Sequence, residues 1–123
     1  MIAQTLNVSA LQDELAKFAN ERDWEQFHSP KNLAMALTVE AGELMEIFQW
    51  LTPQESNGIA NIPELQNRVK EEIADVLLYL LKLAGKLDID LESACRAKIE
   101  INKKKYPVEL AKGNAKKYSE FEK

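Results

Sequence analysis

Cysteine is almost missing from this chain. Cys95 stands alone, which excludes an intramolecular disulfide framework and any cysteine-based zinc cluster, and fits a reducing compartment. Glycine and proline are scarce, four of each in 123 residues, so the chain has few built-in breaks. Long apolar runs are missing too. The longest, Val76 to Leu81, falls far short of the ~20 residues that span a bilayer. The opening residues, MIAQTLNVSALQDE, lack a basic region followed by a long apolar stretch, so no secretory signal is expected. There is no basic excess. Sixteen Lys+Arg face twenty Asp+Glu, for a net charge of −4, whereas a generic binder of nucleic acid polymers is usually basic. A cytoplasmic protein is expected, with neither a membrane nor a nucleic acid polymer as partner.

What is present is a core. Hydrophobic residues make up 46% of the chain, enough to argue against wholesale disorder. The length suits one domain, 1–123. A monomer of this size buries only roughly two-thirds of its unfolded surface, so self-association would help it.

The pattern is helical throughout. Ser9 with Gln12 reads as an S-x-x-Q capping box. Leu11, Leu15 and Phe18 follow at helical spacing, which predicts a first helix from about Ala10 to Arg22. Ser29-Pro30 opens a second, expected to run to about Leu51. The polar stretch TPQESNGIANIP reads as a loop. A third helix is expected from Pro63 to about Leu87, and a fourth, capped by Asp90, from Leu91 to about Lys105. Pro107 stops it, and 107–123 reads as a polar tail without a period. No strand alternation, repeat or low-complexity block stands out. The fold class is all-α, a bundle of about four helices per chain.

Acidic residues fall where core residues belong. In the second helix Leu33, Leu37, Leu44, Ile47, Phe48 and Leu51 form an apolar stripe, and Glu40 sits inside it with Glu43 one turn on. In the third, Val69, Val76, Leu80, Leu83 and Leu87 form the stripe, and Glu72 sits inside it with Asp75 one turn on. Buried carboxylates are costly, and two unit charges 4 Å apart repel by about 4 kcal/mol even at an effective dielectric near 20. Protonation or a divalent cation would relieve this. An all-oxygen set suits a hard ion such as Mg²⁺, with Mn²⁺ as substitute, and facing helices are a known frame for such a site. The plainer alternative is a pair of solvated helix faces. Acids at i, i+3 are common, and Glu43–Glu46 and Glu71–Asp75 lie nearby.

The strings around these acids are more specific than their spacing. E40-A-G-E43 followed by E72-I-A-D75 resembles the E-x-x-E…E-x-x-D signature of the all-α nucleoside triphosphate pyrophosphohydrolases, the MazG-like superfamily. ERDWEQFHSPKNLAMALTVEAGELMEIFQW (21–50), EEIADVLLYLLKLA (71–84), KIEINKKKYP (98–107) and AKGNAKKY (111–118) resemble its dCTP pyrophosphatase branch. The resemblance covers about Leu11 to Tyr118, apart from the segment 52–66.

The resemblance implies a Mg²⁺-dependent hydrolase that cuts between the α and β phosphates, turning dCTP and water into dCMP and diphosphate as nucleotide house-cleaning. It implies metal ligands at Glu40, Glu43, Glu72 and Asp75, with Glu40 or Glu43 orienting or deprotonating the water. It implies substrate contacts at Trp24, His28, Trp50, Tyr79 and Asn102. Trp24 and Trp50 offer flat faces for a base, and Asn102 both donates and accepts. Tyr79 lies four after Asp75. Lys98, Asn102 and Lys105 share a helix face, so the lysines could meet phosphate oxygens. A homo-oligomer, dimer or tetramer, is also implied.

Each contact has an ordinary alternative. Trp50 could plug the core, Tyr79 could be core, His28 could be a turn residue, and Lys103–Lys105 could be a solvated helix end. One position departs from the dCTP-selective pattern, which carries a histidine in the first helix where Leu15 stands here. That opens a broader set of nucleotides, dUTP or modified pyrimidines among them. A non-catalytic helical module with an ion site is the competing reading from another class. Four retained acids argue against it, because such a module would gain stability by replacing them.

Overall fold

The computed structural model describes residues 2–121 and contains six α-helices and three 3-10 turns, with no strand among the described residues. The chain forms two compact units, Met1–Asp88 and Ile89–Lys123. The first holds α1 (Val8–Glu21), α2 (Pro30–Phe48), α3 (Pro53–Asn57) and α4 (Pro63–Lys86). α4 is its hub. α2 packs along α4 more extensively than any other pair, and α1 and a 3-10 turn at Ile59–Asn61 also lie on it.

The helix starts follow local chemistry, with one correction. Ser29 Oγ accepts from the Asn32 N–H at 3.1 Å and Pro30 takes the first helical position, as the sequence predicts. α1 begins earlier than the Ser9 box implies. Asn7 Oδ1 accepts from the Ala10 N–H at 3.0 Å and opens the helix at Val8. Gln12, assigned to that box, turns inward instead, and its Nε2 donates to the Leu81 carbonyl at 2.8 Å. A tertiary partner outcompetes the local one.

The segment expected as a loop is ordered. Thr52 and Glu55 form a reciprocal capping box that starts α3, with bonds of 3.1 and 2.9 Å. The 3-10 turn after it drops Ile59, 4% exposed, against Ile47 and Val69. One apolar side chain in a polar stretch thus becomes part of the core.

The buried face of α4 also differs from the expected stripe. Val69 is buried, but Leu80 and Leu87 are exposed, while Leu81 is wholly buried with Ala84 beside it. The reason is that α4 serves two partners, α2 and α1, and no single stripe describes both faces. Leu81→Ala should therefore cost about 3 kcal/mol, read as a lower denaturation midpoint. An unchanged midpoint would mean that Leu81 is not the core residue it appears.

The second unit is described by itself. Asp90 Oδ1 accepts from the Ser93 N–H at 3.0 Å and starts α5 (Leu91–Lys105), as expected. The tail has more structure than its composition implies. It contains α6 (Val108–Ala111) and a 3-10 turn at Tyr118–Glu120. The Tyr106 ring meets Tyr118 and Phe121 edge-on, at centroid distances of 6.2 and 5.8 Å. Three aromatics spread over sixteen positions leave no periodic signal, yet they close the tail on itself.

Candidate metal and nucleotide site

The i, i+3 spacing puts Glu40 and Glu43 on one face of α2, and α2 packs along α4, which carries Glu72 and Asp75. Carboxylate oxygens of Glu40, Glu43 and Glu72 come within 4.8 Å of one another. Glu40 and Glu72 are half-buried, and one oxygen of each, Oε2, is shut off from water without a hydrogen-bond partner. Asp75 stands one turn beyond Glu72, exposed, close enough to act on the charge of Glu40. The decoys point elsewhere. Glu46 and Glu71 are exposed, and Glu71 accepts from Asn67 Nδ2 at 3.3 Å.

The electrostatics follow from the geometry. Glu40 is pushed up to about 7, first by loss of water, then by the Glu72 and Glu43 carboxyls and the charges of Glu43 and Asp75. Two orphaned buried oxygens in an all-oxygen donor set fit a hard divalent cation. Glu40, Glu43 and Glu72 would hold it, with Asp75 at the edge.

A cavity of about 480 Å³ lies against α1, α2 and α4. Leu11, Leu15, Phe18, Leu33 and Leu78 give it apolar walls, and Asp75 connects it to the acidic cluster. Trp24, His28 and Tyr79 line it too. The turn that carries Trp24 and His28 is set by Asp23, which takes φ 56° at the end of α1. That conformation suits Asp or Asn after glycine, and it folds the Trp24 N–H back onto the Ala19 carbonyl at 2.9 Å. Phe18 meets the Trp24 ring edge-on at 5.6 Å, and the His28 ring stands 6.5 Å away. Burial, then the Lys82 charge, pushes the His28 imidazole below its ordinary value. Its Nδ1 is buried with no partner.

Trp50 does not join this cavity. It sits beyond the end of α2, 86% exposed. It does not plug the core either. Lys98 and Asn102 are exposed on α5, and Lys105 is half-buried with its Nζ 4.8 Å from the Tyr118 ring centre.

Sequence reasoning missed Glu14, Glu25 and Lys82. Glu14 and Lys82 line the cavity. Lys82 follows Asp75 and Tyr79 at i, i+4, i+7, so a helical signal existed. Glu25 pairs with both Lys82 and Lys86, at 2.6 Å for the latter. Nothing local announces that pair, because 57 residues separate Glu25 from Lys82.

The model of the MazG-like family matches residues 35–121. The chain belongs to the MazG-like family. Among relatives, dCTP pyrophosphatase 1 of Homo sapiens is 47% identical over 106 residues, which is 86% of this chain and 62% of that protein. The Mus musculus protein of the same name is 46% identical over the same shares. The MazG-like chain thus spans about 62% of the length of these curated relatives. The crystal structure of a pyrophosphatase from Archaeoglobus fulgidus superposes with a TM-score of 0.72 at 39% identity, covering 87% of this chain and 99% of that one.

Proposed function

We propose that the chain is a divalent-metal-dependent nucleoside triphosphate pyrophosphohydrolase that converts dCTP and water into dCMP and diphosphate. The observation that carries this is the convergence of three carboxylates from two helices beside an apolar cavity walled by Trp24. The relatives named dCTP pyrophosphatase support the substrate. The family match spans both compact units, so 1–123 is read as one functional domain with 107–123 as its tail.

In this reading Glu40, Glu43, Glu72 and Asp75 hold Mg²⁺, or Mn²⁺ in its place. When bound, the ion supplies charge neutralisation for the triphosphate and a more acidic water. Glu40 or Glu43 would orient the attacking water and take its proton. Phosphoryl transfer otherwise needs positioning and charge stabilisation, and no Ser, Cys or His nucleophile.

The base enters the cavity and stacks on Trp24, with His28 and Tyr79 at its polar edges. On α5, taken by itself, Lys98 and Lys105 are proposed for phosphate oxygens and Asn102 for the sugar or base. Trp24→Ala should raise KM about tenfold or more, the loss expected for one stacking platform, with a smaller effect on kcat. An unchanged KM would place the base elsewhere.

Self-association would bring Trp50 into use. Ile73, Leu80 and the C-cap residue Leu87 leave a heptad-spaced apolar row exposed along α4, and Met35 and Val39, four apart, are exposed on α2. A homo-oligomer, dimer or tetramer, would cover them. A cytoplasmic location is part of this proposal; no helix of the described residues is long and apolar enough to cross a membrane.

A second reading has its own observation. Leu15 lines the cavity and cannot donate a hydrogen bond. A pocket that selects by apolar shape separates close analogues by only roughly 10–200-fold. A broader diet of deoxynucleotides or modified pyrimidines follows. Diphosphate release from dCTP, dUTP, dTTP, dATP, CTP and 5-methyl-dCTP, with and without Mg²⁺, decides between them. Release led by dCTP supports the first reading, release led by another nucleotide the second, and no release from any would refute both.

A further inference from the structure

The segment between α1 and α2 forms one wall of the cavity, through Trp24 and His28. Its local bonds tie it to the helices it connects. The Trp24 N–H reaches Ala19 on α1. Asn32 Nδ2, on α2, donates to the Phe27 carbonyl at 2.9 Å. Gln26 Nε2 donates to Asp23 within the segment itself, at 2.9 Å. None of these reaches α4. Yet α4 is the opposite wall, contributing Asp75, Leu78, Tyr79 and Lys82. Among the described residues, the hydrogen bonds and ion pairs that cross from this segment to α4 are those of Glu25. One carboxylate oxygen takes Lys82 Nζ and the other takes Lys86 Nζ.

This is no ordinary surface pair. The Lys82 side chain is 11% exposed and the Glu25 side chain 33%. Two ammonium groups on one carboxylate, partly shielded from water, hold more firmly than an exposed pair. They pull Glu25 down to about 2, so the clamp is charged at any ordinary pH. Lys82 lines the nucleotide cavity and also a second hollow of about 390 Å³ shared with Gln12, Glu25 and Lys86. The clamp therefore sits on the partition between the two.

We propose that Glu25 and Lys82 are positioning residues for the base: their ion pair fixes the Trp24–His28 wall against α4 and so sets how tightly the cavity grips a nucleotide's base. This rests on the nucleotide reading of the cavity. Glu25 touches no substrate in this account. It acts through Trp24 and His28, which among the described residues make no hydrogen bond to α4.

His28, the only histidine, is a built-in reporter. The charged groups around it are Glu25, Lys82 and Lys86, and Glu14 and Asp75 share its cavity. In Glu25→Gln, loss of the carboxylate alone would lower the His28 pKa. A wall released from α4 would rehydrate the ring and raise it. The test is a titration of dCMP into wild type, Glu25→Gln, Lys82→Gln and the double variant, alongside an NMR pH titration of His28. The Kd for dCMP should rise about tenfold in Glu25→Gln, as misplacement of one wall predicts, with kcat changed far less than KM. The double variant should be no weaker than the weaker single, because the two residues act as one unit. The His28 pKa should rise in Glu25→Gln. A Kd within about twofold of wild type, or a fall in the His28 pKa, overturns the proposal. If Glu25→Gln does not fold by circular dichroism, Glu25→Asp decides. It keeps the charge but retracts it by one methylene, and an unchanged Kd there overturns the proposal equally. A wild-type chain that binds dCMP but releases no diphosphate from dCTP refutes the proposed reaction alone. If the wild-type chain binds no dCMP, the nucleotide reading fails, and the His28 titration still decides whether Glu25 holds the wall.

Discussion

Glu40→Gln should lower kcat by about a thousandfold or more while raising the thermal midpoint of the metal-free protein. The two effects have one cause. Glu40 sits half-buried among other carboxylates, and one of its oxygens has neither water nor a donor. Glutamine keeps the shape, removes the charge, and brings an N–H that can serve the orphaned oxygen of Glu72. The folded state loses a repulsion and gains a hydrogen bond, so stability should improve by about 1–2 kcal/mol at neutral pH. Turnover should collapse, because an uncharged amide neither holds a hard cation well nor takes a proton from water. Diphosphate release and a melting curve on the same preparation test both halves. A variant with full activity would show that the assigned cluster is not the reaction centre. A variant that is inactive and less stable would mean that Glu40 serves the fold.

The metal-free protein should also lose stability as pH rises from about 5 to about 8, and millimolar Mg²⁺ should flatten that loss. The folded value of Glu40, about 7, lies above the ordinary 4.5, so the folded state binds this proton more tightly than the unfolded chain. The stabilisation is fully present below pH 4.5 and disappears as pH rises through 7. After allowance for the solvent that reaches this half-buried group, the difference is about 2 kcal/mol. Two other groups behave oppositely. Glu25, held down at about 2, contributes stability above pH 4.5 that is lost as pH falls toward 2, outside this window. His28 is lowered from 6.5, so its contribution is complete above 6.5 and shrinks on acidification. It opposes Glu40 over part of the range. Subtracting the Glu40→Gln melting curves from those of wild type removes the His28 and Glu25 contributions and leaves the cluster. A difference curve flat from pH 5 to about 8 would mean that the Glu40 carboxyl titrates normally and that the cluster is open to water.

Trp50 and Lys82 show where sequence reasoning met its boundary. The resemblance implies a base contact at Trp50, and in this chain its side chain stands outside the cavity, largely exposed, so that contact depends on the proposed self-association. Lys82, unassigned, lines the cavity on the same α4 face as Asp75 and Tyr79. The i, i+4, i+7 spacing was available for Lys82, but a lysine at helical spacing is an ordinary surface feature until its partner is known. That partner, Glu25, comes from a different element.

What the sequence determined by itself is what depends on neighbours a few residues apart. Ser29-Pro30 and Asp90 start their helices where expected, because a cap needs only its own first turn. The all-α class and the long α2 and α4 follow from periodicity over many turns, where single errors average out. Glu40 with Glu43 and Glu72 with Asp75 could be picked out as acids in or beside apolar stripes, since i, i+3 spacing fixes which side of a helix they share. Only the tertiary structure decided the rest. It turned the buried face of α4 to Leu81 because two helices pack on α4. It drew Gln12 out of a local cap toward the Leu81 carbonyl, and pressed Ile59 from a polar stretch into the core. It brought three carboxylates within a cation's reach and left Asp75 at the edge of the group. Each outcome depends on the angle and register between elements distant in the chain, which local propensities do not encode and only simultaneous packing resolves.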